Sequence, residues 1–165
     1  MPTRARKRRM SKISTSITLR ELSAEELPLL FPLIAEHNPS MTRAVFDARL
    51  ARMVPLGYRA IGLFDGAALI GCSGFWLRTR FWDGNELDID NFFVQPAYRS
   101  QRLGARMLAW FEEFALREGI DLMVLDAYAD SFETHRFYLR EGFSLTGYHI
   151  TKVPGTKVPF SKKKD

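Results

Sequence analysis

The stretch VQPAYRSQRLGARMLAW, residues 94–110, decides the fold of this chain. A β-branched residue and a proline lead into an arginine-rich turn with one glycine, Gly104, and apolar residues then recur at helical spacing. This pattern predicts a strand ending at Val94, a basic turn, and a helix over 101–118 that closes at Gly119. The first N–H groups of a helix have no partner within it and the helix dipole is positive there, so such a turn is suited to bind phosphate.

The segments on either side of this turn predict one mixed α/β domain. Alternating or continuous apolar runs indicate strands, and longer runs of helical period indicate helices. The predicted strands span 16–22, 58–64, 68–80, 86–94, 120–128 and 143–153, and the predicted helices span 23–37, 41–54, 101–118 and 131–141. The order β-αα-βββ-α-β-α-β predicts a mixed, mostly antiparallel sheet in a single domain over 16–155.

Composition limits the class of protein. A chain of 165 residues with a hydrophobic fraction of 46% can bury a complete core. No apolar run reaches the roughly 18 residues that a spanning helix needs, so we expect no membrane partner. The single cysteine, Cys72, excludes an internal disulfide framework and is expected to be a small buried residue. The simplest location is therefore the reducing cytoplasm.

The net charge of +5 belongs to the ends of the chain. A basic leader over 1–15 and a basic tail over 156–165, both expected to be flexible, flank a body with 15 basic and 18 acidic residues between Ile13 and Phe160. Nucleic acid is an unlikely partner, because its binding needs basic residues clustered on a folded face. The alternative is an RNA-associated protein that acts through its basic tails, whose binding would be sensitive to salt.

The opening stretch resembles the acetyl-coenzyme A signature of the GNAT superfamily of N-acetyltransferases. That signature has Gln or Arg, two variable residues, Gly, one variable residue, then Gly or Ala. Arg99 and Gly104 take its first and last positions, and Arg102 stands where the signature has its first glycine. The run HRFYLREGF, residues 135–143, is similar to that of aminoalkylphosphonate and related small-amine acetyltransferases. The resemblance covers about residues 17–153 and is most specific in the cofactor half.

The resemblance implies an acetyl-CoA-dependent N-acetyltransferase with a GNAT-like sheet splayed at the cofactor site. It would move the acetyl group to a primary amine, most simply of a small molecule, by direct attack on the thioester, with Tyr138 as the general acid. The residues that the resemblance implies for cofactor binding are Phe92, Phe93, Val94, Arg99, Ser100, Gln101, Arg102, Leu103, Gly104, Ala105 and Ser131. A protein amine as acceptor, a homodimer, and a non-catalytic acyl-CoA-binding sensor on the same scaffold all stay open.

The candidates for the general base are acidic residues of the predicted strand that precedes the turn. Asp88 and Asp90 fall on one face, because side chains along a strand alternate, and Asn91 and Phe93 would share the other face. The two aspartates could attract a cationic amine and take its proton, directly or through water. The alternative is that both are solvent-facing sheet residues. The acceptor's charge stays open, because the aminoalkylphosphonate likeness favours an anionic one.

Aromatic residues near a hairpin end are candidates for the wall of an amine pocket. These are Trp76, Phe81 and Trp82, and His149 could line the same site from a later strand. Packing in the core is the alternative for each aromatic. No metal is expected, because the three histidines are far apart and lack the spacing of metal ligands.

Overall fold

The computed structural model describes residues 17–157, so the predicted leader and residues 158–165 of the predicted tail lie outside the described residues. Among residues 17–157, five strands form one open sheet in chain order. They are β1 (Ile17–Glu21), β2 (Arg59–Asp65), β3 (Ala68–Arg80), β4 (Gly84–Val94) and β5 (Leu122–Leu125). Neighbours pair antiparallel except β4 and β5, which are parallel and joined through a helix, as a parallel connection requires. The predicted mixed, mostly antiparallel sheet is confirmed.

In the described part of the chain, four α-helices accompany the sheet: α1 (Phe31–His37), α2 (Arg43–Met53), α3 (Leu103–Glu118) and α4 (Phe132–Arg140). The helix predicted over 23–37 is divided into a 3₁₀ turn, Leu27–Leu30, and α1. Pro28 and Pro32 each lie in the first turn of one piece, where the missing N–H costs least. Further 3₁₀ turns cover Val54–Leu56 and Pro96–Tyr98.

Apolar residues cover both faces of the sheet. On one face α3 buries Met107, Phe111 and Phe114, and the latter two rings meet Phe75 of β3 at centroid distances of 5.4 Å. On the other face α1, α2 and the first 3₁₀ turn form a second cluster that includes Cys72. The predicted burial of Cys72 is confirmed, and burial raises the pKa of its thiol to about 12.

The sheet opens between β4 and β5. Their pairing runs from Glu86–Leu122 to Ile89–Leu125, whereas β4 continues to Val94. The last five residues of β4 therefore have β3 on one side and no β5 partner on the other. This opening, which we call the β4–β5 gap, is the splay that the family resemblance implied.

The predicted strand over 143–153 is wrong, because residues 143–153 form no regular structure. Of its apolar residues Phe143 packs against Tyr138, whereas Leu145, Tyr148 and Ile150 are 74%, 87% and 92% exposed. An alternating pattern forms a strand only where a neighbouring edge accepts it, and β5 is four residues long, shorter than the predicted 120–128. Within residues 17–157, no helix combines the length and apolarity needed to cross a membrane.

Candidate active site

The turn between β4 and α3 has an unusual backbone. Ser100 and Arg102 both adopt left-handed conformations, with φ of 64° and 60°. Helix α3 begins at Leu103 without a side-chain cap, and its first hydrogen bond runs from Arg106 N to Arg102 O at 3.0 Å. The N–H groups of residues 103–105 therefore have no partner within the helix. Such N–H groups beside left-handed residues form a concavity suited to an anion.

Two contacts hold this turn in place. Arg99 Nε donates to the carbonyl oxygen of Val94 at 3.0 Å, and its guanidinium lies 5.6 Å from the Phe93 ring centroid. The Tyr98 hydroxyl donates to Asp65 Oδ2 at 3.1 Å, which joins the turn to the β2–β3 hairpin. Arg99 thus ties the turn to β4, while the Arg102 side chain is exposed to solvent.

Gly104 lets three elements meet at the start of α3. A Cβ at this position would lie 3.1 Å from Phe137 Cζ of α4 and 3.5 Å from Phe92 Cε1 of β4. The absence of a side chain therefore brings α4 and the end of β4 against the turn.

A β-bulge lies where the β4–β5 gap begins. Asn91 and Phe92 of β4 stand opposite the single residue Ser73 of β3, and Asn91 has a φ of 49°. The extra residue reverses the alternation of side chains. Phe92 packs on the α3 face, and Phe93 joins the cluster that contains Cys72 on the α1 face. The expectation that Phe93 lies opposite Asp88 and Asp90 is therefore wrong.

Tyr138 lies on the α3 face of the sheet, beside the end of β4. Its half-buried ring is 6.0 Å from that of Phe92 and 5.6 Å from that of Phe143. Burial among these rings raises the pKa of Tyr138 to about 12, so the phenol stays protonated at neutral pH.

The two predicted acidic residues of β4, Asp88 and Asp90, lie on the face of the sheet that α1 covers. Asp88 pairs across the sheet with Trp76, and its Oδ2 lies 2.8 Å from Arg78 Nη2. Burial raises the pKa of Asp88 above its usual value; Arg78 opposes this, and the charges of Asp126 and Asp90 add to it. Asp90 and Asp126 directly follow the last β4–β5 pair, so both stand at the beginning of the gap.

The β4–β5 gap thus separates two sets of side chains. Phe92 and Tyr138 lie on the α3 face, and Asp88 and Asp90 on the α1 face. A group placed in the gap could be approached from one face by an acid and from the other by a carboxylate.

The residues predicted to line an amine pocket lie in two separate places. His149 Nδ1 lies 2.8 Å from Asp126 Oδ2, near the gap. Phe81 and Trp82 are 105% and 94% exposed at the tip of the β3–β4 hairpin, where they line a groove of about 420 Å³. Four strand residues, or about 13 Å, separate that tip at Gly84 from Asp88. The structure therefore brings Trp76 and His149 towards the gap, but not Phe81 and Trp82.

Ser131 precedes α4, and its hydroxyl donates to Thr134 Oγ1 at 2.7 Å. Its backbone carbonyl accepts the first hydrogen bond of the helix, from the His135 N–H at 3.0 Å. The Ser131 side chain is thus engaged with its own helix.

Two residues near the gap, Asp126 and Tyr58, and one buried acid at the other end of the β4–β5 pairing, Glu86, were not predicted from the sequence. Asp126 could have been found, because it follows an apolar run and the carboxyl ends of parallel strands collect functional groups. Nothing in the sequence marks Tyr58, which is 6% exposed beside the bulge, nor Glu86, which is 2% exposed. Glu86 Oε2 lies 2.9 Å from Arg80 Nε, at ion-pair distance but without the geometry of a hydrogen bond. In residues 17–157, no three His, Cys, Asp or Glu side chains are grouped to hold a metal ion.

Comparisons with known proteins identify the family and the fold. Residues 18–143 match the profile of the acetyltransferase (GNAT) family. The aminoalkylphosphonate N-acetyltransferase of Salmonella typhimurium is 28% identical over 150 residues, which cover 88% of this chain and 97% of that protein. A solved structure of the aminoglycoside N-acetyltransferase AAC(6')-Iy with CoA is similar with a TM-score of 0.73 and 14% identity, over 85% of this chain and 95% of that one. Glucosamine-6-phosphate N-acetyltransferase from Arabidopsis thaliana has a TM-score of 0.65 at 18% identity, over 84% and 98% of the two chains.

Proposed function

Since the chain belongs to the acetyltransferase (GNAT) family, we propose that it transfers the acetyl group of acetyl-CoA to a primary amine of a small molecule, by direct attack of the amine on the thioester. The observation that carries the proposal is the pair of functional groups on the two faces of the β4–β5 gap. Tyr138 lies beside Phe92 on one face, and Asp90 follows the last β4–β5 pair on the other side. The anion-binding turn adjoins the same gap.

The residues present fit acetyl-CoA, which when bound supplies an acyl group activated as a thioester. The N–H groups of residues 103–105, beside the left-handed Ser100 and Arg102, suit its pyrophosphate. The backbone of residues 92–94 has no β5 partner and suits the amide groups of its pantetheine arm, held like an added strand. We assign these roles to the domain over 16–155, with the leader and tail outside it.

Tyr138 is proposed as the acid that meets the departing thiolate. A phenol with a pKa of about 12 is protonated throughout the working range, so the proton is always present. An exposed thiolate, whose conjugate thiol has a pKa of about 8.5, would not take that proton readily. A thiolate beside the rings of Phe92 and Phe143 would lose part of its hydration, which raises the pKa of its thiol towards that of the phenol. Desolvation of the leaving group therefore favours transfer of the phenol's proton to it.

Asp90 is proposed as the group that receives the proton of the ammonium, directly or through water. Asp88 is less suited, because it lies within the part of β4 that pairs with β5, whereas Asp90 stands where the gap begins. Asp88, Asp90 and Asp126 together favour a positively charged amine at the gap. An aminoalkylphosphonate carries such an ammonium, so this arrangement and the named activity of the Salmonella typhimurium relative both support a small-molecule amine.

The proposed setting is the cytoplasm, with no membrane or nucleic-acid partner. The buried free thiol of Cys72 is consistent with a reducing compartment. Removal of residues 1–12 should leave the rate of acetyl transfer unchanged.

A thiol-release assay tests the proposal. Purified protein is incubated with acetyl-CoA and a panel of aminoalkylphosphonates, amino sugars, aminoglycosides and polyamines, and free CoA thiol is measured. We expect at least one amine to give thiol release far above the rate without amine, and Tyr138→Phe to reduce it. Tight CoA binding with no amine-dependent release would instead favour a non-catalytic acyl-CoA sensor.

A further inference from the structure

The bulge at Asn91 sets the shape of the β4–β5 gap. It is the point where two residues of β4 oppose Ser73, and beyond it Phe92 turns to the α3 face. Without it, the alternation of β4 would continue and Phe92 would point away from Tyr138. The backbone that is proposed to hold the pantetheine arm therefore depends on a left-handed conformation at Asn91, with a φ of 49°.

A left-handed asparagine needs support from its surroundings. Asparagine adopts this conformation more readily than most residues, but less readily than glycine. The Ser73 hydroxyl, itself fully buried, lies 3.1 Å from the carbonyl oxygens of both Asp90 and Gly74 and shares its one hydrogen between them, which joins the two strands at one side of the bulge.

Tyr58 lies beside the bulge. Its ring is 5.1 Å from that of Trp76, and its hydroxyl lies directly over Gly74, where a Cβ would overlap the phenol. Gly74 pairs with Asp90, the residue before Asn91, so the phenol oxygen lies at the start of the bulge. Burial raises the pKa of Tyr58 and the charge of Asp90 adds to this, while an interaction with the Asn91 side chain opposes it.

We propose that Tyr58 is a positioning residue, which accepts a hydrogen bond from Asn91 over the bare backbone of Gly74 and so holds the bulge that opens β4 towards Tyr138. The role rests on the proposed acetyl transfer, because it concerns the groups that would bind acetyl-CoA. Tyr58 itself touches neither the thioester nor the amine in this account.

Substitutions at Asn91 and Tyr58 separate positioning from general stability. Tyr58→Phe keeps the ring and removes the hydrogen bond, and Asn91→Ala removes the same bond from the other side. Asn91→Gly also removes it, but glycine adopts a φ of 49° without support. We expect Tyr58→Phe and Asn91→Ala each to lower kcat/KM by about five- to tenfold, as for the loss of one hydrogen bond. Asn91→Gly should stay near the wild type, and Tyr58→Phe should have little effect in the Asn91→Gly background.

Hydrogen–deuterium exchange of residues 90–94 gives a readout that does not depend on activity. Exchange should accelerate in Tyr58→Phe and Asn91→Ala and return to the wild-type rate in the double variant Tyr58→Phe/Asn91→Gly. Leu33→Ala, in the same core cluster, should not be rescued by Asn91→Gly, and Tyr148→Phe, at an 87% exposed position, should behave as the wild type.

The proposal is overturned if Asn91→Ala and Asn91→Gly behave alike, or if the double variant is as impaired as Tyr58→Phe. Should Tyr58→Phe fail to fold, the two Asn91 variants decide the matter alone. If the wild type transfers no acetyl group, the proposed function fails, while the exchange pattern still decides whether Tyr58 holds the bulge.

Discussion

The left-handed conformation of Arg102 predicts that glycine is a better residue than alanine at this position. At a φ of 60° a side chain's Cβ approaches the following carbonyl oxygen, which costs roughly 1–2 kcal/mol. Arg102→Ala keeps this cost, whereas Arg102→Gly removes it. Part of that gain is offset, because glycine loses more backbone entropy on folding than alanine does. The glycine variant should therefore be more stable than the alanine variant by about 1 kcal/mol, or about 2–4 °C in Tm for a chain of this size.

The same two variants, Arg102→Ala and Arg102→Gly, separate the effect of the Arg102 charge on CoA binding from the effect of the left-handed backbone. Both variants lose the exposed guanidinium, so both should bind CoA more weakly than the wild type, by up to about fivefold at low salt. Arg102→Gly should bind at least as tightly as Arg102→Ala, because the turn keeps its shape. Chemical denaturation measures the first difference and calorimetry with CoA at two salt concentrations measures the second.

Arg49 provides the matched control. It is an exposed arginine inside α2, where glycine is less favourable than alanine by about 1 kcal/mol. The order of stability should therefore be reversed between the two sites. If Arg102→Gly is less stable than Arg102→Ala, as at Arg49, the left-handed turn does not exist in solution and the reasoning is refuted.

Three further predictions concern the two faces of the gap. Tyr138→Phe should lower kcat by about 100-fold or more while the Kd for CoA changes little, as measured by steady-state kinetics and calorimetry; an unchanged kcat would exclude the phenol as the acid. Asp90→Asn should reduce kcat/KM for the amine more than Asp88→Asn, because Asp90 stands where the gap begins and Asp88 lies within the paired part of β4; equal losses would contradict the assignment of the base. The folded-state pKa of Tyr138 is raised from 10.0 to about 12, so its contribution to stability is present below pH 10 and lost as the pH rises through 12. Between about pH 9 and pH 11 the wild type should lose about 1 kcal/mol more of its unfolding free energy than Tyr138→Phe, a difference that urea denaturation can detect.

The strand–turn–helix around residues 94–110 was predictable because several local signals agree. The apolar spacing that begins at Leu103 and the glycine at 119 place α3, and the arginines mark the turn. The left-handed backbone at Arg102 was not predictable from that residue type alone, because arginine normally avoids it. The family signature does have a glycine there, and the structure supplies the physical reason for that preference.

The arrangement around β4 was only partly predictable. Period-two alternation correctly groups Asp88 with Asp90, but it cannot reveal a bulge whose first residue is asparagine instead of glycine. Tyr58 and Asn91 are 33 residues apart, and their contact depends on the pairing of β2 with β3 and of β3 with β4. Such long-range contacts follow from tertiary packing, which no local pattern records.

Two strand predictions that rested only on the local sequence were wrong, one in its length and the other entirely. The apolar run over 120–128 suggested a long strand, but only Leu122–Leu125 finds a partner in β4. The alternating pattern of 143–153 has a strand's composition but pairs with none of the five strands described. Both cases show that β-propensity depends on the neighbour that accepts the strand.

The proposed acetyl transfer requires CoA to bind at the turn before α3 and along the end of β4, and an NMR titration of isotope-labelled protein with CoA can detect both contacts. We expect the backbone amides of residues 101–105 and 92–94 to shift first and furthest, and those at the start of α3 to become slow to exchange with solvent as they bind the pyrophosphate. Well-folded protein whose amides in these two segments do not move at millimolar CoA would contradict the proposed acetyl transfer.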